Sequence, residues 1–84
     1  MSDTIFGRIA AGEIPADIVY QDDDLVAFRD LSPQAPTHIL IIPRKAIRTL
    51  NDVEAADAEL VGKLFLAAAK VAKQVGIAEA GYRV

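Results

Sequence analysis

His38 is the residue of this sequence best suited to acid–base or nucleophilic chemistry, because an imidazole exchanges its proton near neutral pH. It is the chain's single histidine, and the chain has no cysteine. No second histidine and no serine of a nucleophile elbow is present to act with it. His38 is therefore a candidate for catalysis. The alternative is a hydrogen-bonded structural role, which is commoner for a lone histidine on an apolar strand, since catalytic histidines need partners.

Two charged clusters are the other candidate sites. Residues 22–24 are three consecutive aspartates, but neighbouring residues in a turn point in different directions, and EF-hand spacing is missing. A solvated turn is therefore favoured over a metal cluster. Arg44, Lys45 and Arg48 follow an apolar run and can either hold a phosphate or form a soluble rim. With no GxGxxG or Walker A motif, the sequence predicts neither a metal nor an organic cofactor.

Composition narrows the classes of protein. The chain has 84 residues, of which 52% are apolar and 25% charged, as is usual for one globular domain. A net charge of −3 gives no electrostatic footprint for nucleic acid or an anionic membrane. The sequence also lacks a signal peptide, a transit peptide and an apolar run long enough to span a bilayer. We therefore expect a cytoplasmic protein without nucleic-acid or membrane partners.

The first element that positions these residues is a short helix. Apolar residues recur there at one-turn spacing, namely Ile5, Phe6, Ile9 and Ala10. This spacing predicts an amphipathic helix, with Asp3 or Thr4 as its N-cap and Gly12 as its C-terminal stop.

Three strand-like runs follow the helix. Residues 18–21 and 25–29 flank the acidic turn and predict a β-hairpin. Residues 37–42 are nearly all β-branched or apolar and are closed by Pro43, so we predict a central strand covered on both faces. Residues 30–36 contain two prolines and are predicted to form a rigid loop beside the strand ends, where sites are usually built.

A long helix is predicted from residue 52 or 56 to residue 75. Its apolar stripe has a helical period and consists of Leu60, Leu64, Ala67 or Ala68, Val71 and Val75. Gly76 is placed to end this helix, and residues 82–84 resemble the start of a further strand. The order of elements predicts an α+β fold in a single domain over residues 1–84. In it, an antiparallel meander sheet packs on one long helix and is preceded by a short N-terminal helix.

Two segments carry more specific motifs. The first comprises residues 3–9 (Asp-Thr-Ile-Phe-Gly-Arg-Ile), 13–16 (Glu-Ile-Pro-Ala) and 20–23 (Tyr-Gln-Asp-Asp). The second is residues 27–43, with a highly specific Asp-x-Ser-Pro-x-Ala-Pro-x-His run. Together they resemble the N-terminal two-thirds of the histidine-triad (HIT) family, in its HINT branch of nucleoside phosphoramidases. The resemblance covers essentially the whole chain and implies a HIT-like fold, an AMP-like purine nucleotide as ligand and a homodimer.

The resemblance also implies roles for individual residues. An apolar slot would sandwich the nucleobase between Ile5, Phe6, Ile9, Phe28 and Leu31. Asp30 matches the carboxylate that accepts hydrogen bonds from the ribose hydroxyls. His38 matches an additional histidine that adjoins the triad and orients the site without acting as the nucleophile. These roles agree with chemistry, since a flat base needs apolar walls and a vicinal diol needs an anionic acceptor.

The chain departs from the family pattern in the catalytic segment. Family members perform the reaction with a His-x-His-x-His strand, an asparagine and a Gly-rich loop, which follow the segment on which this sequence ends. Ala46 also stands where many members have a histidine. The resemblance therefore implies a phosphoramidase with a nucleotidyl-histidine intermediate in the complete protein, and an inactive, truncated fragment here. The alternative is a naturally short, non-catalytic module that binds a nucleoside or a protein through the long helix or a sheet edge.

Overall fold

The secondary structure follows the predicted order in the computed structural model, which describes residues 5–84. The elements are α1 (Ile5–Ala10), β1 (Ile18–Gln21), β2 (Leu25–Arg29), β3 (Ile39–Pro43), two 3-10 turns (Leu50–Asp52 and Ala55–Asp57) and α2 (Ala58–Gln74). The predicted α+β fold with a short first helix and one long helix is confirmed. The predicted N-cap, Asp3 or Thr4, lies outside the described residues. Neither helix among residues 5–84 has the length and apolarity that a membrane span requires.

The sheet is an antiparallel meander in the order β1-β2-β3. Its centre is β2, in which residues 25–28 are all buried. The prediction that the third strand would be central and covered on both faces is wrong for the described residues. There β3 pairs with β2 alone, and all five of its residues are half-buried. The reason is topological: β2 lies between its hairpin partner β1 and the returning strand β3, although β3 has the more continuous apolar sequence.

Successive side chains along each strand point to opposite faces of the sheet. On one face, Ile9 of α1 forms a buried cluster with Val26 and Phe28, and Leu40 and Ile42 of β3 pack against it. On the other face, α2 packs on β3, and its buried residues are Ala67, Val71 and Ala72. The two helices therefore cover opposite sides of the strands that carry the loop of residues 30–38.

Both helices end at the glycines that the sequence indicated. Gly12 and Gly76 have φ angles of +80° and +84°, a left-handed conformation that L side chains rarely adopt. Beyond Gly76 the Ile77 N–H donates to the Ala72 carbonyl at 3.0 Å, which closes the end of α2. The start of α2 at Ala58 falls later than predicted, because the two 3-10 turns precede it. Residues 82–84 form no strand, so the predicted start of a further strand is not found.

The two solvent-exposed glycines of the α2 region should respond oppositely to alanine. Gly76→Ala is expected to lower the free energy of unfolding by about 1 kcal/mol, because alanine is strained at this positive φ. Gly62 lies within α2, and a methyl group added there meets no other part of the protein within 4 Å. Gly62→Ala should therefore raise the free energy of unfolding by about 0.5–1 kcal/mol. Urea denaturation followed by circular dichroism measures both values. Changes of the same sign would contradict these helix bounds.

Asp57 is a buried carboxylate that fixes the approach to α2. Its side chain is 4% exposed, accepts a hydrogen bond from Lys45 Nζ at Oδ1 and accepts one from the Glu54 N–H at Oδ2, at 2.9 Å. The Lys45 ammonium, followed by the Glu54 N–H, holds the pKa of Asp57 below its ordinary value of 3.8. The carboxylate therefore stabilises the fold at neutral pH.

The ion pair between Lys45 and Asp57 predicts that part of the protein's stability is lost in acid. A lowered pKa in the folded state stabilises the protein above the ordinary value of 3.8, and the contribution is lost as pH falls through the folded pKa. We expect the urea midpoint to fall on acidification, and to fall less in Asp57→Asn, which cannot form the ion pair. Identical acid profiles for the two proteins would show that the pair contributes nothing.

Candidate functional site

Asp30 and His38 face each other at the base of the loop that joins β2 to β3. Asp30 follows the last residue of β2, His38 precedes the first residue of β3, and the Asp30 N–H donates to the His38 carbonyl at 3.0 Å. Asp30 Oδ1 accepts from the Ser32 N–H at 3.1 Å, while Oδ2 lies 3.3 Å from His38 Nδ1. The pairing of β2 with β3 thus places the two side chains next to each other. Both remain partly accessible, since Asp30 is 22% exposed and His38 is 32% exposed.

His38 is held by the loop backbone. Its Nδ1 accepts a hydrogen bond from the Gln34 N–H at 3.0 Å. This bond uses the Nδ1 lone pair, so in the neutral imidazole the proton lies on Nε2. The hydrogen-bonded structural role considered for this histidine is therefore present. The bond to Gln34 was missed by sequence reasoning, because its donor is a main-chain group that side-chain patterns do not reveal.

The apolar residues predicted to sandwich a base divide into two groups. Ile9 and Phe28 are 3% and 1% exposed and belong to the core. Phe6 is 46% exposed, and its ring centroid lies 6.3 Å from that of Phe28. Ile5 and Leu31 are also exposed. Only Ile5, Phe6 and Leu31 therefore present large surfaces to a ligand, while Ile9 and Phe28 lie beneath them as core.

A groove of about 960 Å³ lies on the other face, between β3 and α2. Ile39 and Ile41 line it from the sheet, and residues including Leu64 and Phe65 line it from the helix. None of the residues predicted to bind a nucleoside lines this groove, whereas His38 does. His38 therefore touches Asp30 on one side and the groove on the other.

The acidic cluster forms the β1–β2 turn. Asp22 Oδ1 accepts from the N–H groups of Asp24 and Leu25 at 2.8 and 3.0 Å, and the Tyr20 hydroxyl donates to Oδ2 at 2.9 Å. These bonds, first that from the Asp24 N–H, lower the pKa of Asp22. Asp24 forms an ion pair with Lys63 at 2.9 Å. Asp22 therefore stabilises the turn, and Asp24 attaches it to α2.

The basic cluster after β3 also has structural partners. Arg44 donates to the carbonyl oxygens of Ala10 and Asp22 and to the Gln21 side chain, which ties the end of α1 to the β1–β2 hairpin. Lys45 is paired with Asp57. The rim interpretation is therefore favoured over a phosphate site for these two residues. Nothing in the local sequence identifies their partners, since Ala10 lies far from Arg44 along the chain.

Comparisons with known proteins agree with this architecture. The HIT domain family model matches residues 11–84. The purine nucleoside phosphoramidase of Escherichia coli K12 is 60% identical over 82 residues, covering 98% of this chain and 69% of that protein. A HIT family hydrolase from Legionella pneumophila superposes with a TM-score of 0.93 at 51% identity, covering 96% of this chain and 72% of that one. A histidine triad protein from Clostridium difficile gives a TM-score of 0.94 at 41% identity, covering 99% and 72%.

These similarities confirm the resemblance drawn from the two motif segments. The TM-scores of 0.93 and 0.94 show that these two structures share the fold of this chain over almost all of its length. The chain belongs to the HIT domain family.

Proposed function

We propose that this chain forms the nucleoside-binding part of a HIT-type phosphoramidase site and that its ligands are AMP-like purine nucleotides. The observation that carries the proposal is the Asp30 carboxylate, which is partly exposed and fixed in place by the strand ladder and the Ser32 N–H. The 60% identity to a protein named purine nucleoside phosphoramidase supports the same substrate class.

The proposed binding mode follows from exposure and charge. Asp30 Oδ2 accepts hydrogen bonds from the ribose hydroxyls, because an anionic oxygen is a strong acceptor for a diol. The exposed apolar side chains of Phe6 and Leu31 contact the base. Phe28 supports the Phe6 ring from within the core, so the wall is rigid without Phe28 itself touching the ligand.

The family reaction, by resemblance, begins when a triad histidine nitrogen attacks the α-phosphorus. The phosphorus–nitrogen bond to the leaving amine breaks, a neighbouring acid protonates that amine, and water then hydrolyses the nucleotidyl-histidine to release AMP. In this chain the single imidazole commits its Nδ1 lone pair to Gln34, and its neutral form carries the proton on Nε2. We therefore propose that the 84-residue chain binds nucleotide without turning it over.

The test uses the purified 84-residue chain, its length verified by intact mass. We expect isothermal titration calorimetry to show AMP binding and a discontinuous assay to show no release of AMP from adenosine 5′-phosphoramidate above the uncatalysed rate. Robust turnover would overturn the proposed inactivity. Absence of AMP binding under the same conditions would overturn the nucleoside site.

A self-association surface is a second proposal for the same chain. Phe65 and Leu66 of α2 are 61% and 72% exposed, and β3 is paired on one side among the described residues. Exposed apolar side chains beside a sheet edge favour pairing with another chain. This observation supports a homodimer, and also the alternative function of a non-catalytic interaction module. Sedimentation equilibrium should show a dimer, and a stable monomer at high concentration would contradict it.

On composition alone, we propose the cytoplasm as the location of the protein.

A further inference from the structure

We propose that His38 is a positioning residue whose Nδ1 exchanges the Gln34 N–H for the Asp30 carboxylate when the imidazole is protonated, and that this exchange reduces nucleoside binding. The proposal rests on the proposed function insofar as Asp30 is the ribose acceptor. The exchange itself concerns only the ligand-free chain, so it can be tested separately.

The contacts of the His38 ring fit a neutral imidazole. Nδ1 accepts from the Gln34 N–H at 3.0 Å, which is possible only while Nδ1 carries no proton. Asp30 Oδ2 lies 3.3 Å from the same nitrogen but receives no proton from it in this state. Oδ2 therefore keeps its acceptor capacity for a ribose hydroxyl, and the bond to Gln34 holds the loop closed over residues 34–38.

Protonation of the imidazole changes both contacts of Nδ1, with the Gln34 N–H and with Asp30 Oδ2. Nδ1 then becomes a donor and can no longer accept from the Gln34 N–H. The nearest acceptor for its new proton is Asp30 Oδ2, which becomes the partner in a charge-assisted hydrogen bond. A ribose hydroxyl must compete with the imidazolium for this oxygen, and the loop loses the bond that closed it. Acidification should therefore weaken nucleoside binding.

His38 has few charged neighbours, which makes its imidazole the group to test. Asp30 is the charged group beside it, and the loop residues Gln34 to Thr37 carry no ionisable side chain. The side chains of α2 that line the adjoining groove are all apolar. The remaining titratable or charged residues of the groove are Tyr82 and Arg83. A variant at position 38 separates the contribution of the imidazole from theirs.

The first experiment follows the ligand-free chain by NMR from about pH 8 to about pH 5, the range in which imidazoles generally titrate. At the upper end we expect the ¹⁵N signals of the neutral His38 with Nδ1 unprotonated. The Gln34 amide signal should then move with the same midpoint as the imidazole. An Nδ1–H tautomer at the upper end, or a Gln34 amide that ignores the titration, would overturn the proposal.

The second experiment measures the affinity for adenosine over the same range. Adenosine is chosen over AMP because a phosphate monoester itself titrates near about pH 6. We expect about a tenfold loss of affinity on acidification, as suits competition with a charge-assisted hydrogen bond. Unchanged affinity across the range would overturn the proposal. Failure of adenosine to bind at any pH would refute the proposed function, while the NMR titration still decides the exchange.

Matched variants identify the atom responsible. His38→Asn offers a carbonyl oxygen to the Gln34 N–H but does not titrate, so its adenosine affinity should vary less than about twofold with pH. Gln34→Ala keeps the backbone N–H and should keep the pH dependence of the parent chain. Persistence of the full pH dependence in His38→Asn would assign it to a group other than the imidazole and would refute the role of His38.

Discussion

Replacing Phe28 by alanine is expected to lower the free energy of unfolding by about 3–5 kcal/mol. The Phe28 side chain is 1% exposed, lies in the central strand and packs with Ile9 and Val26. Its removal therefore leaves a cavity between α1 and the sheet. A domain of this size has a total stability of roughly 4–13 kcal/mol, so much of the folded population would be lost. Urea denaturation followed by far-ultraviolet circular dichroism measures the change.

Phe65→Ala is the matched control for Phe28. The Phe65 ring is 61% exposed on α2, so the same truncation should change the free energy of unfolding by about 0.5 kcal/mol or less. Both variants are compared at a protein concentration low enough to exclude self-association. Equal losses in the two variants would contradict the assignment of the core to the α1 face of the sheet.

Replacing Asp30 by asparagine is expected to lower the affinity for AMP by about ten- to a hundredfold. The substitution keeps an oxygen for the Ser32 N–H but removes the anionic acceptor proposed for the ribose hydroxyls. Hydrogen bonds to a charged group contribute about 1.5–3 kcal/mol, which sets the expected range. Isothermal titration calorimetry measures the change, and Asp23→Asn in the exposed β1–β2 turn should leave the affinity unaltered.

A modified ligand shows whether Asp30 acts through the ribose. The 2′,3′-dideoxy form of AMP has no diol, so Asp30→Asn should bind it as well as the parent chain does. The difference between the two ligands isolates the contact between carboxylate and hydroxyls, as in a double-mutant cycle. An equal loss for both ligands would show that the substitution disturbs the loop and that Asp30 does not hold the ribose.

The local sequence pattern was sufficient to predict most of the fold. The bounds of β1 and β2 agree with the two runs that flank the acidic turn, and the positive φ angles of Gly12 and Gly76 explain why the helices end where predicted. The pattern could not show which strand is central. A run of apolar residues indicates burial without indicating its partners, so β3 was predicted to be central although β2 is.

The candidate site was predicted less completely. The motif around Asp30 and His38 identified two residues that the fold does bring together. The same reasoning assigned Ile9 and Phe28 to a base-binding slot, yet both are buried, and spacing cannot distinguish a pocket wall from the core beneath it. The bond from the Gln34 N–H to His38 depends on the loop conformation, which side-chain identity alone does not specify.

The most direct test of the nucleoside site is an NMR titration of the ¹⁵N-labelled 84-residue chain with AMP. The account predicts saturable shifts in the amide signals of Asp30, Leu31 and Phe6, on the face of the sheet that α1 covers. Shifts confined to the residues of the opposite groove, such as Ile39, Ile41 and Phe65, would contradict it, as would the absence of any saturable shift.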